Sequence, residues 1–575
     1  DLAARRATRI SSMASRVRRV AALLRRYRVD RRLPPQVLRV YVDVGRLRLR
    51  DTGRRLAAQT LPAIRTASTA RTSGPVVRQV SRRVESDRPL DRSLDDLAHH
   101  NARSVTDALR AASLDVFAVG RRRDTIVFGV GLADRAAALA ALEERVGGTG
   151  WLLDWEDGGR SGTVALRSAS RRQHVRSART WRIYRVAAWG DRAIGREQAA
   201  ELGFWEVGSS GQMELVGTRG HERFDPRSPA TVEVVDGREY PGRSAFPIGA
   251  DLARMTDPVD IVYTWVDGSD PEWQAAFRAT AAEHGRRVDE VALDPARYRS
   301  RDELRYSLRS VWAFCGWARR IFVVTAGQVP PWLADDERVV VVDHSEILPA
   351  DALPTFNSHA LESALHRIDG LAEHFVYFTD DMLVGRALRP EDFFTPNGLA
   401  RVFQGGARVP ALEDESTLAV DTAARRGREL LLERFGKVVL DKPYHSPYPL
   451  RRSVMEEIES EFPEIVKRTS HSRFRSPSDL SIAASFAQHY AIGVGKAVFA
   501  DIHTDYVNVE SGRLGWHLDR IRFARNFDTF CINETEAHGR DQHARESMIR
   551  SFFDSYFPIA APWETEQVDD SDRHR

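Results

Sequence analysis

TFNSHALESALHRIDGLAEHFVYFTDDMLVG, residues 355–385, joins a helical pattern bearing acid and imidazole groups to an apolar strand that ends in two carboxylates. Leu361, Ala364, Leu365 and Ile368 recur at helical spacing, and at about 100° per residue His359, Glu362 and His366 share a side roughly opposite that stripe. The pattern predicts a helix that packs one face and presents polar groups on the other. Phe375 to Phe378 reads as a buried strand, with Asp380 and Asp381 at its carboxyl end, where open α/β sheets place their ligands. Paired carboxylates there suit Mg²⁺ or Mn²⁺, which take oxygen ligands and bridge them to a diphosphate. Two other readings compete. His-x-x-Glu-x-x-x-His could take zinc, although the usual zincin spacing is absent; two aspartates after a strand also serve as a plain turn and helix cap.

Upstream, Asp260 to Val266 is a strand pattern closed by Asp267-Gly268-Ser269-Asp270-Pro271 and followed by a helix over 272–283. Residues 301–314 read as a helix, 321–325 as a strand running into Ala326-Gly327-Gln328, and 339–342 as a strand ending at Asp343-His344. Strands alternating with helices predict a mostly parallel sheet with right-handed crossovers, which puts the dicarboxylate at the same sheet edge as Asp267 and Gly327. No GxGxxG or Walker loop is present, so phosphate recognition rests on other groups or on a metal. Downstream, 405–430 reads as an insertion or loop. Lys442 to Pro449 is stiffened by prolines and displays His445 before a helix from about Leu450. An irregular segment, 470–479, carries Arg473 and Arg475 ahead of a helix over 480–490, and His and Arg on such loops suit anion binding. A strand over 527–532 and a helix over 545–557 close the chain, leaving a polar tail from 564.

The 575-residue length allows two or more domains. Apolar residues at 42% and charged residues at 29% fit a globular protein, and no apolar run is long enough to span a membrane. Only Cys315 and Cys531 occur, too few for a disulfide framework or a cysteine zinc site, which fits a reducing cytoplasm. Residues 1–90 hold 23 arginines against six acids, so an overall charge of +4 hides a basic arm on a net acidic remainder. That arm predicts attraction to an anionic membrane surface or another polyanion; nucleic acid is not an expected partner. Within it, 12–29 reads as an amphipathic helix, 35–65 as a strand or long helix, and 66–91 as a linker. From Leu94 to about Gly217 a small α/β unit is expected, with helices over 104–114 and 134–146 and strands at 125–130, near 152 and at 181–187. The Gly- and Pro-rich stretch 218–257 marks the boundary of this accessory domain.

In this order the segments resemble the Stealth family, which includes bacterial capsule and exopolysaccharide phosphotransferases and the catalytic subunits of the animal lysosomal N-acetylglucosamine-1-phosphotransferase. DIVYTWVDGSDPEW at 260–273, RDELRYSLRS through VVTAGQVPPWL at 301–333 with the opening stretch after it, KPYHSPYPLRR through RFRSPSD at 442–479, and FCINETE at 530–536 carry the resemblance. It covers about 258–563 and implies a glycosyltransferase-A-like α/β domain that moves a sugar 1-phosphate from a UDP-sugar donor to a glycan or polysaccharide hydroxyl, leaving UMP. It marks Glu362, Asp381, His445 and Arg475 as catalytic positions and Asp260 on the nucleotide-side strand. Trp265, Asp267, Gly268, Arg305 and Gly327 are expected beside the donor, and Asp380 with Asp381 at the metal. The chain departs from the family at Asn533-Glu534, where other members read Asn-Asp; the longer carboxylate counts against a metal role for Glu534. A glycosyltransferase releasing UDP and a non-catalytic polyanion-binding relative are the alternatives.

Overall fold

The computed structural model describes residues 89–565 apart from 191, 217–221, 285–297, 299, 410–418 and 535–541. The chain divides into two compact units, Asp1–Arg78 and Gln79–Arg575, and every described residue belongs to the second. The elements expected at 12–29 and 35–65, and the linker up to residue 88, lie outside the described residues.

The accessory part opens with α1 (Leu94–Ala111), capped by the Ser93 hydroxyl accepting from the Asp96 amide. The helix starts ten residues earlier than expected. Strands β1 (Val116–Arg122) and β2 (Thr125–Gly131), helix α2 (Arg135–Arg145), and strands β3 (Trp151–Asp157), β4 (Arg160–Ala165), β5 (Thr180–Arg185) and β6 (Ala200–Val207) follow. Residues 218–257 are more than a boundary. β7 (Ala230–Val235) and β8 (Arg238–Arg243) form a hairpin there, and β8 pairs with β1, so a ten-stranded sheet runs β7-β8-β1-β2-β6-β5-β3-β4 with two short strands beside β6. The turn residues of this stretch bend the hairpin. Its alternating Val232 and Val234 form one strand.

The catalytic part is built on β9 (Val259–Thr264), α3 (Pro271–His284), α4 (Glu303–Phe314), β10 (Ile321–Thr325), β11 (Val339–Asp343), α5 (Ser358–Glu362) and β12 (His374–Thr379). Four strands are parallel in the order β11-β10-β9-β12, as expected for an α/β domain. All six residues of β9 are buried, the signature of a strand covered on both faces. In register, Thr264 lies beside Thr379 and Val324, so the loops after β9, β10 and β12 emerge at one edge. β12 then turns at Asp380-Asp381 into β13 (Met382–Val384), which leaves this sheet.

The remaining elements are β14 (Ala400–Arg408), α6 (Ala419–Phe435), β15 (Tyr448–Arg451), α7 (Arg452–Glu461), α8 (Pro463–Ser470), α9 (Ala487–Gly493), β16 (Ala497–Ala500), β17 (Thr504–Asn508), α10 (Leu514–Ala524), β18 (Thr529–Asn533) and α11 (Gln542–Tyr556). Three differ from expectation. Residues 419–435 are helical rather than loop. Residues 448–451, read as the start of a helix, form an antiparallel edge strand on β12 with Pro449 opposite Val376; an edge position tolerates the missing proline N–H. Residues 482–486 form a π-turn before α9. β13 pairs with β18, which pairs with β17.

One large core spans the catalytic part and takes in Leu90, Leu94, Leu97 and Trp189 from the accessory side. Ala102, Val105 and Leu109, further along α1, pack in the accessory core, so this helix serves both. The Arg389 Nε donates to Asp124 at 2.8 Å and Trp189 Nε1 to the Tyr556 carbonyl at 2.8 Å across the same junction. Glu564, expected in the tail, is buried against Arg305 and Arg309. Among the described residues no helix is long and apolar enough to cross a membrane.

Candidate active site

The exit of β12 is tied to β18 from the other sheet. Met382 pairs with Cys531, and the Ile532 amide donates to the Asp381 carbonyl at 3.1 Å. This fixes the Asp381 carboxylate. Its Oδ1 accepts from the Thr379 hydroxyl, and its Oδ2 accepts from the Cys531 thiol at 3.0 Å and from Asn533 Nδ2, while His445 Nε2 stands 3.2 Å away. Cys531 was read only as a free cysteine and Asn533 only as a motif residue, and neither was expected at this carboxylate. Their i, i+2 spacing on a strand puts them on one face, which was the available signal.

His445 is held between the 441–443 strand and β15, with Nδ1 3.1 Å from the Tyr448 hydroxyl. Burial alone favours a neutral imidazole, but the Asp381 carboxylate outweighs it and raises the pKa above that of free histidine. Burial likewise opposes charge on Asp381, yet the His445 charge and the hydrogen bonds from His445, Cys531 and Thr379 hold its carboxyl well below the usual range. Tyr448 stacks on Tyr377 with ring centres 6.0 Å apart, and Tyr377 shares a 2.9 Å hydrogen bond with Thr264 of β9.

Glu362 and Arg475 complete the group. The charge of Glu362 raises, and that of Arg475 lowers, the proton affinity of His445, so all four expected catalytic positions lie within electrostatic reach of one imidazole. Glu362 is buried and its Oε2 has no hydrogen-bond partner. Arg475 donates to Ser358 Oγ at 2.7 Å. Its loop is anchored by buried Asp479, whose Oδ2 accepts from Asn357 Nδ2 at 2.8 Å and the Ser476 amide at 3.0 Å. The helix expected to carry His359 through Ile368 is broken: α5 ends at Glu362 and a 3-10 turn follows at Leu365–Arg367. His359 and His366 are buried and diverge, His359 to within 3.5 Å of Asp479 and His366 to 2.7 Å from Glu459. This separates them from Glu362 as a zinc set.

Asp380, next to Asp381, has its carboxyl pushed well up by burial, then by the charges of Asp381 and Glu303. Such crowding of acids is relieved by a cation, and the oxygens of Asp380 and Asp381 are donors of the kind Mg²⁺ and Mn²⁺ take. Asp381, His445 and Cys531 place one ligand atom each within 4.8 Å of one another. Burial first, then Asp381, pushes the Cys531 thiol up, so it stays protonated and acts there as a hydrogen-bond donor. Glu534 instead pairs with Arg301, which also lies 3.4 Å from Glu303.

The expected donor-side residues divide. Trp265 is buried, and Asp267 and Gly268 follow β9 at the site edge. Gln328, missed in the sequence, clamps them by accepting from the Asp267 amide at 2.9 Å and donating to Asp270 at 2.9 Å. Gly327 has φ +74°, a left-handed conformation glycine adopts freely, and a Cβ on Gly268 would lie 2.2 Å from the Tyr298 carbonyl oxygen. Two expectations are corrected. Asp260 is at the amino end of β9, buried, and bonded to Arg319 Nε at 2.8 Å and the Ala372 amide at 2.7 Å, so it braces the far end of the sheet. Arg305 is taken up by Glu564 at 2.5 Å. The sequence pattern placed both on the right elements but could not show which end, or which partner, each would meet.

Four family models match: Stealth protein CR1, conserved region 1, over 257–285; CR2, conserved region 2, over 297–402; CR3, conserved region 3, over 444–492; and CR4, conserved region 4, over 519–574. Each contributes to the site, with Asp267, Asp381, His445 and Cys531 in turn. The chain is similar to the exopolysaccharide phosphotransferases SCO6023 and SCO2594 of Streptomyces coelicolor. The first is 39% identical over 82% of this chain and 83% of its own length, the second 36% identical over 82% and 84%. CpsY of Mycobacterium tuberculosis, also an exopolysaccharide phosphotransferase, is 41% identical over 55% of this chain and 59% of its own length. Among solved structures, galactosyltransferase LgtC with donor and acceptor sugar analogs matches at 12% identity, covering 52% of this chain and 96% of that chain with a TM-score of 0.26. Mouse xyloside xylosyltransferase 1 matches at 10%, covering 48% and 97%, with a TM-score of 0.24. With all four conserved regions present in order and relatives aligned along most of their length, the chain belongs to the Stealth family.

Proposed function

We propose that this protein is a sugar-1-phosphate transferase of exopolysaccharide biosynthesis, moving a hexose or N-acetylhexosamine 1-phosphate from a UDP-sugar to a glycan hydroxyl and releasing UMP. The observation that carries it is the pairing of His445 with Asp381 at 3.2 Å on the carboxyl edge of a parallel sheet, with Glu362 and Arg475 acting on the same imidazole. The names of the relatives support the same reading.

In this scheme the acceptor oxygen bonds to the β-phosphorus as the bridging bond to UMP breaks. Nδ1 of His445 takes the acceptor proton, the hydroxyl displacing that of Tyr448, while Nε2 stays on Asp381. The Arg475 fork neutralises phosphoryl oxygens in the transition state. Asp381 holds the imidazole and stabilises the imidazolium as it forms, and Glu362, with an unbonded oxygen, orients the acceptor hydroxyl. Asp380 and Asp381 would hold Mg²⁺ or Mn²⁺, which when bound supplies positive charge to the diphosphate. Work in a reducing compartment such as the cytoplasm is part of the proposal and rests on the two buried free thiols. The basic arm is proposed to hold the protein at an anionic membrane surface; loss of vesicle co-flotation on deleting residues 1–90 is the expected result.

The deciding experiment is a screen of nucleotide sugars with Mg²⁺, with products read by mass spectrometry. UMP is the expected nucleotide. UDP as the sole product would establish glycosidic transfer instead.

A further inference from the structure

The aromatic residues around His445 form a row whose members are treated differently. Tyr377 and Tyr448 are buried with their hydroxyls bonded. Tyr506 also lies beside His445, ring centres 6.0 Å apart and 68° between planes. It is 44% exposed, and its hydroxyl has no protein partner among the described residues. It sits on β17, the outer strand of its sheet, paired with Cys531 and so one strand from the group that holds Asp381.

Tyr506 thus brings a half-exposed ring to the side of the proposed catalytic base. A flat apolar face with a polar rim is the surface that binds the C–H face of a pyranose while its hydroxyls meet polar groups.

We propose that Tyr506 forms the acceptor-saccharide subsite, stacking the sugar whose hydroxyl faces His445. The ligand class is a neutral pyranose chain. This rests on the transferase reading for its meaning, but the binding itself is testable without turnover.

The test uses the full chain and its Tyr506→Ala and Tyr506→Phe variants. Saturation-transfer NMR is run with hexasaccharides of β-linked N-acetylglucosamine, α-linked mannose and β-linked glucose as probes. The wild type is expected to bind at least one, Tyr506→Ala to bind it about tenfold more weakly, and Tyr506→Phe to stay within about twofold, because the ring is kept. Where a donor from the nucleotide-sugar screen turns over, Tyr506→Ala is expected to raise the KM for that hexasaccharide about tenfold while the donor KM stays within about twofold. Thermal unfolding at the wild-type midpoint would show that the edge position carries no fold. Absence of binding to all three probes, equal binding by wild type and Tyr506→Ala, or equal rises in acceptor and donor KM each overturn the subsite. Failure of every donor to yield UMP, with probe binding lost in Tyr506→Ala, would overturn the transferase reading and leave the saccharide subsite standing.

Discussion

His445 is where burial and charge oppose each other most directly. Asp381 favours the imidazolium, so the neutral form needed of a base accumulates only above the ordinary imidazole value of about 6.5. The acid limb of kcat/KM is therefore expected above pH 6.5, and Asp381→Asn should move it down in a pH-rate profile while lowering turnover. Replacing His445 by Ala should cost about 10²–10⁴-fold in UMP formation, the range for a lost general base. A second residue sets the pH dependence of folding. Burial, then the charge of Asp124, raises the Asp95 carboxyl to about 7 from 3.8, and its Oδ2 is shut from solvent without a hydrogen-bond partner. The folded chain thus binds this proton more tightly than the unfolded one. Its contribution is fully present at low pH and is lost as pH rises from about 4 to 7. Asp95→Asn should raise the thermal midpoint relative to wild type by a margin that grows over that interval.

At the scale of elements, two short segments set the geometry of the site. β18 orients Asp381 through a thiol and an amide from alternate residues. Cys531→Ser keeps a donor and should retain most activity, whereas Cys531→Val should lower UMP formation by about tenfold or more and weaken activation by Mg²⁺ in a metal titration. The 473–479 loop depends on Asp479 and Asn357. Asp479→Ala should cost about 10²-fold in kcat, the scale of a misplaced catalytic group, with circular dichroism unchanged. The helix breaking at Ser363 follows from the same packing. His359 and His366 find acidic partners in different directions, and no regular helix meets both.

Across the whole molecule, the accessory and catalytic parts share α1 and a half-hidden ion pair. The side chains of Arg389 and Asp124 are each 13% exposed. Breaking such a pair by Asp124→Ala removes the hydrogen-bonded partner of Arg389, with Asp95 still nearby, and should cost about 1.5–3 kcal/mol, read as a lowered midpoint in denaturant unfolding. Since the catalytic core takes in Leu94 and Leu97, truncation at residue 112 should expose apolar surface and yield insoluble protein. The 94–257 region is thus a structural partner of the catalytic part, whatever it binds.

Residue order alone determined the parallel sheet, because β9, β10, β11 and β12 are short apolar runs separated by helical patterns, and period and apolarity are local properties. The resemblance carried by its four motif blocks marked Glu362, Asp381, His445 and Arg475. Only the tertiary structure decided that Asp260 points to the other end of the sheet, that Arg305 is held by Glu564, that 448–451 is a strand, and that Cys531, Asn533, Gln328 and Tyr506 stand at the site. The reason is physical. Which end of a strand, which partner of a charge and which face of an edge strand meet the site are fixed by contacts between residues far apart in the chain, and no local pattern encodes them.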